Sequence, residues 1–152
     1  MKYLLTALCA LAFAGPVAAQ DYNAEPNFGD ITLAPGFTPD PYTVRLQAGG
    51  DRSASTVGSS CSGFITNQPD YRLQWNGNGS LNIKISVSSG ADTTLVVNGP
   101  NGEWYCDDDS GEGNNPLVTL GSVAGRYEIW VGTYSSGDPQ SAVLSISELT
   151  NF

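Results

Sequence analysis

The chain has 152 residues, of which 15 are acidic, 6 are basic and none is histidine, and its formal net charge is −9 at pH 7. The absence of histidine excludes a Ser-His-Asp triad, histidine-ligated zinc and a covalent haem of the usual type. An acidic surface disfavours nucleic acid and anionic lipid, and it favours cations, basic partners or simply solubility.

The first 19 residues differ from the rest of the chain. Lys2 precedes an apolar run, and the small residues Val17 and Ala19 stand three and one positions before Gln20. This layout predicts a secretory signal peptide over residues 1–19, cut between Ala19 and Gln20. The run is too short for a stable transmembrane helix, so we expect a periplasmic or secreted protein without membrane insertion.

Two cysteines, Cys61 and Cys106, remain after that cleavage. An even number of cysteines in an oxidising compartment predicts one disulfide between them. A paired cysteine offers no thiolate, which argues against a cysteine nucleophile and a cysteine-only zinc site. The length that remains suits a single domain.

Residues 20–41 are acidic and contain four prolines but no basic residue. We predict an acidic leader over 20–41, with a first edge strand in Phe28–Leu33. From Tyr42 onward apolar residues recur with a period of two. The sequence therefore predicts that residues 42–152 form the folded domain.

Six segments of that domain show the alternation of strands, namely 42–48, 71–75, 81–88, 93–97, 126–134 and 142–149. Asn-Gly and Gly-Asp-Pro stretches separate several of them, and such pairs favour hairpin turns. The mature chain contains no ten-residue window with a helical apolar stripe. The pattern predicts an all-β fold, an antiparallel β-sandwich of about eight strands.

An acidic loop follows Cys106 in the stretch WYCDDDSGEGNNP, residues 104–116. Calcium takes about six to eight oxygen ligands from flexible loops, and a cation would relieve the repulsion between adjacent carboxylates. The spacing is not that of an EF-hand, and the alternative is a solvated loop after a strand. The predicted metal ligands are Asp107, Asp108, Asp109, Glu112 and, if its strand end lies beside the loop, Asp92.

Aromatic residues form the second candidate site. In segment 126–134, Trp130 and Tyr134 fall on the face opposite Ile129 and Val131. If that face meets solvent, Trp130, Tyr134 and Trp104 are predicted to bind a ligand by stacking against a sugar ring. The alternative is that these aromatic side chains cover the second face or an edge of the sandwich.

Catalysis has weak support in the residues that are present. A Ser-Lys dyad would need Lys84, which is predicted to lie on the polar face of a strand. A hydrolase with paired carboxylates would need Asp92 and Asp109 to face each other across a cleft, one with a raised pKa. We therefore predict a protein that is not an enzyme, with a carboxylate-dependent hydrolase as the less favoured alternative.

Four stretches resemble the bacterial pre-peptidase C-terminal domain family in their order along the chain: CSGFITNQPDYRLQW, DTTLVVNGPNGEWYCDDD, NNPLV and GRYEIWVGTY. The similarity spans roughly residues 27–150 and is greatest to small stand-alone exported members. It implies a jelly-roll-like β-sandwich that is usually non-catalytic, with relatives that bind collagen, carbohydrate or, through acidic loops, calcium. Asp108 and Asp109 match the paired aspartates of the family, whereas Asp107 stands where an asparagine is expected.

Together these patterns predict an exported binding module that is stabilised by Ca²⁺ and binds a carbohydrate or an extracellular or envelope protein. The alternative is a structural or accessory envelope protein without a small ligand. Nothing in the sequence specifies an oligomeric state. Fold alone does not decide between these functions.

Overall fold

Two β-sheets packed face to face form the fold in a computed structural model, which describes residues 20–151. The predicted signal peptide and its cleavage bond lie outside the described residues. Among residues 20–151 no helix has the length and hydropathy needed to span a bilayer. The strands in this range are β1 (Asp30–Leu33), β2 (Tyr42–Ala48), β3 (Arg52–Ser53), β4 (Phe64–Ile65), β5 (Tyr71–Trp75), β6 (Ile83–Ser89), β7 (Thr93–Asn98), β8 (Trp104–Asp107), β9 (Leu117–Leu120), β10 (Gly125–Thr133) and β11 (Gln140–Ser147).

The smaller sheet contains four antiparallel strands in the order β2-β11-β6-β9. Its register places Leu144 of β11 between Val44 of β2 and Val87 of β6. Because side chains alternate between the two faces of a strand, the buried apolar residues of all four strands point to the same side. This side is one wall of the main core.

The larger sheet is organised around β10, the longest strand. β10 pairs with β5 along Gly125–Ile129 and with β7 along Glu128–Thr133, and β8 adds to the far side of β7. The predicted antiparallel arrangement is confirmed except at β1, which lies parallel to β5 at the edge of the sheet. No hairpin joins these two strands, because the chain enters the other sheet as β2 between them, so their relative direction is not forced.

The main core lies between the sheets and confirms the predicted faces of the strands. Tyr127, Ile129 and Val131 of β10 point into it, as do Leu144 and Ile146 of β11. Trp75 is also fully buried in it, and its Nε1 donates to Ser122 Oγ at 2.9 Å. The alternate residues that are apolar in the sequence are therefore the residues that become buried on folding.

A second, smaller core covers the outer face of the larger sheet. Residues 51–64, which contain β3, one turn of 3-10 helix (Ala54–Thr56) and the start of β4, lie over Val96 and Trp130. The predicted disulfide between Cys61 and Cys106 is present and joins this covering segment to β8. Coverage on both faces explains why the middle of β7 has no polar alternation: Leu95 and Val97 enter one core and Val96 the other.

The strand count differs from the predicted number of about eight. β3 and β4 contain two residues each, too few to show any periodicity. Leu81 was expected to share the inner face of Ile83, but β6 begins at Ile83 and Leu81 is 47% exposed. Short strands that are defined by their partners leave no recognisable pattern in the sequence.

Candidate functional site

Asp107 organises the acidic loop from within. Its Oδ2 accepts hydrogen bonds from the backbone N–H groups of Ser110 at 2.9 Å and Leu117 at 2.8 Å, and its Oδ1 accepts from Ser110 Oγ at 2.6 Å. These three hydrogen bonds use both carboxylate oxygens of Asp107. Asp107 therefore closes the loop between β8 and β9 through hydrogen bonds to its own neighbours.

Asn115 closes the other half of the same loop. Its Oδ1 accepts from Thr93 Oγ1 at 2.8 Å, and its Nδ2 donates to the carbonyls of Ser89 and Glu112 at 3.1 Å each. The Asn115 side chain is buried, and these bonds tie the loop to the ends of β6 and β7. The loop is consequently built by its own polar side chains.

The other predicted metal ligands are not gathered into a cluster. Asp92, Asp109 and Glu112 are exposed, and within residues 20–151 no three acidic side chains are arranged to hold a metal ion. Partial burial raises the pKa of Asp108, and the charges of Asp109, Asp107 and Asp92 raise it further. Asp92 therefore lies near the loop, which was the condition for its predicted role as a ligand, but the carboxylates repel one another without converging.

The predicted aromatic residues are divided by the structure. Trp130 is fully buried under residues 51–64, so the expected stacking role of Trp130 is wrong: neither face of its ring is open for a ligand to stack on. Tyr134 is 48% exposed but lies beyond the end of β10, away from Trp104. Trp104 remains partly exposed and packs on Trp130 with ring centroids 5.3 Å apart.

Trp104 lines a groove on the outer face of the larger sheet, here called the Trp104 groove. The register of four neighbouring strands places Arg72, Glu128, Asn98 and Trp104 in one row across the sheet. The groove has a volume of about 520 Å³, within the range of small-molecule sites. Its lining consists of Tyr22, Asn98, Gly99, Pro100, Gly102, Trp104, Ala124, Gly125, Arg126 and Glu128.

Glu128 is the buried charge of this groove. Its Oε1 accepts from Arg72 Nε at 2.6 Å and lies 2.9 Å from Arg126 Nε, and its side chain is 2% exposed. Burial raises the pKa of Glu128, while the hydrogen bond and charge of Arg72 and the charge of Arg126 oppose that rise. Its Oε2 has no hydrogen-bond partner in the described part of the chain.

A second groove of similar volume lies at the end of the smaller sheet. It is lined by Phe28, Arg45, Gln47 and several small residues of β6 and β11. None of the four buried side-chain atoms without a hydrogen-bond partner in residues 20–151 belongs to its lining. The Trp104 groove is therefore the better candidate, because it combines an aromatic ring with an unsatisfied buried acceptor.

The N-terminal strap, residues 20–29, forms one wall of the Trp104 groove. Arg126 Nη2 donates to Asn23 Oδ1 at 2.9 Å, and Arg72 Nη2 donates to the Ala24 carbonyl at 2.8 Å. These bonds bring the exposed ring of Tyr22 to the groove. Residues predicted to be a leader thus contribute directly to the candidate site.

Asp70 anchors the same strap from inside the protein. Its Oδ1 accepts from Asn27 Nδ2 at 2.8 Å, and its Oδ2 accepts from the backbone N–H of Val131 at 2.8 Å. Burial raises the pKa of Asp70 from 3.8 to about 7, although the hydrogen bonds from Asn27, Val131 and Thr66 lower it. The strap is therefore attached to a carboxyl group that is costly to ionise in the folded state.

The free energy of unfolding is expected to fall as the pH rises from about 4 to about 7. The unfolded chain ionises Asp70 near its ordinary pKa, whereas the folded chain resists ionisation until about pH 7. The stabilisation is present at the acidic end and lost above pH 7, on the order of a few kcal/mol in total. Urea denaturation at several pH values measures it, and Asp70→Asn is expected to flatten the profile. Equal slopes for both proteins would contradict the assignment to Asp70.

Sequence reasoning missed most of the groove, including Tyr22, Asn98, Arg126 and Glu128. One signal was present: Arg126, Glu128 and Trp130 alternate with core residues along β10, so two charges occupy the face opposite the core. Two charged residues and a tryptophan on the same face of β10 indicate that part of this face is covered and part meets solvent. Their meeting with Asn98 and Tyr22 depends on strand pairing and on the path of the strap.

The chain matches no protein-family model and no curated protein. Among solved structures it is similar to the pre-peptidase C-terminal domain of a collagenase from Bacillus anthracis, with 19% identity, a TM-score of 0.48, and 82% of this chain and 100% of that chain covered. It is also similar to PliG, a periplasmic lysozyme inhibitor of g-type lysozyme from Aeromonas hydrophila, with 15% identity, a TM-score of 0.34, and 82% and 98% covered. Similarity at this level leaves the ligand open.

Proposed function

We propose that this chain is an exported, non-catalytic binding module that holds an extracellular polymer, carbohydrate or protein, in the Trp104 groove. The observation that carries the proposal is the juxtaposition of Trp104, supported from behind by Trp130, with the unsatisfied Glu128 Oε2 atom. An apolar ring beside a few polar groups is the usual composition of a binding site. Export to the periplasm or medium follows from the predicted signal peptide, and N-terminal sequencing that starts at Gln20 tests it.

The charges of the groove argue for binding and against hydrolysis. Glu128 is paired with two guanidinium groups and so is poorly suited to act as a general acid or base. A glycosidase needs two carboxyl groups that face each other across a cleft. Asp92 and Asp109, the pair considered in the sequence analysis, are both exposed at the acidic loop.

Replacing Trp104 with alanine is expected to weaken polymer binding by roughly tenfold or more, because the ring that contacts the ligand is removed. Trp104 is only partly buried, so the fold is expected to persist. Affinity is measured by tryptophan fluorescence titration and pull-down with polysaccharides and fibrous proteins. Tyr134→Ala removes a more exposed aromatic side chain outside the groove and is expected to leave affinity unchanged.

If Trp104→Ala and Tyr134→Ala bind as tightly as the wild-type protein, the groove is not the site. A complete absence of binding to every polymer would favour the alternative function, an envelope accessory protein without a small ligand.

Calcium at the acidic loop remains part of the proposal. Asp107 is already engaged with backbone donors, so a cation would have to draw Asp92, Asp108 and Asp109 together. Burial and, after it, repulsion from the neighbouring carboxylates raise the pKa of Asp108, and relief of that repulsion by a cation is the physical reason for such binding.

Calcium is expected to raise the melting temperature saturably relative to EGTA, because a ligand of the folded state stabilises it by about 2.7 kcal/mol at 100 times its Kd. Differential scanning fluorimetry across a calcium series measures the effect. Magnesium, which tolerates irregular sites poorly, serves as the control. The variant Asp108→Asn/Asp109→Asn is expected to abolish the rise, and a flat wild-type response would remove calcium from the proposal.

A further inference from the structure

The unpartnered oxygen of Glu128 restricts the chemistry of a ligand in the Trp104 groove. The Glu128 side chain is 2% exposed and lines the groove, and its Oε2 has no hydrogen-bond partner within residues 20–151. A buried acceptor without a donor costs free energy, which a suitable ligand recovers. Because Oε2 has almost no accessible surface, a ligand in the groove reaches it with an N–H or O–H group only after a small displacement of the groove lining.

The neighbouring charges decide which kind of donor fits. Arg72 Nε and Arg126 Nε lie 2.6 and 2.9 Å from Glu128 Oε1, so two guanidinium groups surround one carboxylate. A ligand ammonium would meet a net positive cluster. A ligand carboxylate would pair with Arg126 but would also face Glu128 Oε2 and a chain with a net charge of −9. A neutral hydroxyl or amide donor avoids both penalties.

Trp104 adds the requirement for a flat apolar surface. Its ring is partly exposed in the groove, and the buried ring of Trp130 packs against it. A ring supported in this way loses little rotamer freedom when a ligand stacks on it. A flat apolar face that carries neutral hydroxyl donors along its rim is the chemistry of a pyranose ring.

We infer that the Trp104 groove binds an uncharged sugar chain, with one ring stacked on Trp104 and a hydroxyl donating to Glu128 Oε2. This inference rests on the proposed binding function and narrows its ligand from any polymer to a neutral glycan. It separates this ligand from cationic and anionic glycans and from extended protein segments.

A matched set of oligosaccharides tests the inference by titration calorimetry. N-acetylglucosamine oligomers and their deacetylated counterparts have the same backbone, but the latter carry ammonium groups when their amines are protonated. Cello-oligosaccharides and manno-oligosaccharides extend the neutral arm, and oligogalacturonate provides the anionic arm. We expect at least one neutral oligomer to bind, and charged counterparts of the same length to bind at least roughly tenfold more weakly.

Glu128→Gln tests the hydrogen bond itself. The amide preserves the size of the side chain but removes the charge and one acceptor oxygen, so neutral oligomers are expected to bind roughly tenfold more weakly. Tyr22→Ala is the second variant, because the exposed ring of Tyr22 lines the groove outside the ion-pair cluster. It is expected to weaken binding while leaving the melting temperature unchanged, and it remains informative if Glu128→Gln fails to fold.

Different results would contradict the neutral-sugar ligand and the binding function of the groove. Binding of a charged glycan or of gelatin that is lost in Trp104→Ala, with no neutral oligomer bound, would overturn the sugar inference and leave the binding function intact. Neutral oligomers that bind Glu128→Gln and Tyr22→Ala as tightly as wild type would also overturn it. Binding of any polymer that is indifferent to Trp104→Ala would overturn the groove as the site.

Discussion

Gly50→Ala is expected to destabilise the fold by about 3 kcal/mol, the upper part of the range for overpacked positions. A Cβ atom at Gly50 would lie 1.9 Å from the Ile65 carbonyl carbon, 2.1 Å from the Ile65 oxygen and 2.3 Å from the Thr66 nitrogen. All three are backbone atoms beside β4, so no side-chain rotation relieves the clash. Urea denaturation followed by tryptophan fluorescence measures the loss.

Gly90→Ala provides the matched control, because a Cβ atom there would meet no heavy atom within 4 Å. We expect its stability to stay within about 0.5 kcal/mol of the wild-type protein. If Gly50→Ala behaved like Gly90→Ala, the close approach of Gly50 to β4 would be wrong, and with it the path of the segment that covers Trp130.

Loss of the disulfide is expected to cost about 4 kcal/mol, since the two cysteines are 45 residues apart and the cross-link restricts the unfolded chain. The double variant Cys61→Ser/Cys106→Ser removes it without leaving a free thiol. Cys61 belongs to the small core over Trp130, and Cys106 belongs to β8, which pairs only with β7 among the described strands. The cross-link therefore also fastens the strand that carries Trp104.

Denaturation of the wild-type protein with and without a reducing agent, beside the double variant, measures this contribution. The reduced wild-type protein and the double variant are expected to have similar, lower unfolding midpoints, and the reducing agent is expected not to affect the variant. A reduced protein as stable as the oxidised one would show that local packing alone holds residues 51–64 in place.

The strands of the main core were predictable because the pattern of consecutive residues within each strand indicates which side chains are buried. In β2, β5 and β11, alternate residues face either the core or the other side. Apolar and polar residues alternate in the sequence in the same way, so the buried face can be read from it. The disulfide was equally accessible, because two cysteines in an exported chain leave one pairing. These features depend on each residue and its immediate neighbours.

The strap and the outer core were not predictable in the same way. Residues 20–29 contain no alternation, and their position depends on bonds to Asp70, Arg72 and Arg126, which lie far along the chain. Trp130 occupies the face opposite the core, as expected, yet a tryptophan on such a face suits solvent or a covering segment equally well. In the structure, residues 51–64 lie over Trp130 and bury it.

The sequence by itself determined the all-β class, the inner faces of the long strands, the disulfide and the absence of histidine chemistry. Only the tertiary structure decided which polar and aromatic side chains meet. Arg72, Asn98, Trp104 and Glu128 come from four strands, and their row across the sheet exists only through strand register. The physical reason is that periodic burial is encoded residue by residue, whereas a binding groove arises from hydrogen-bonded pairing between segments distant in the chain.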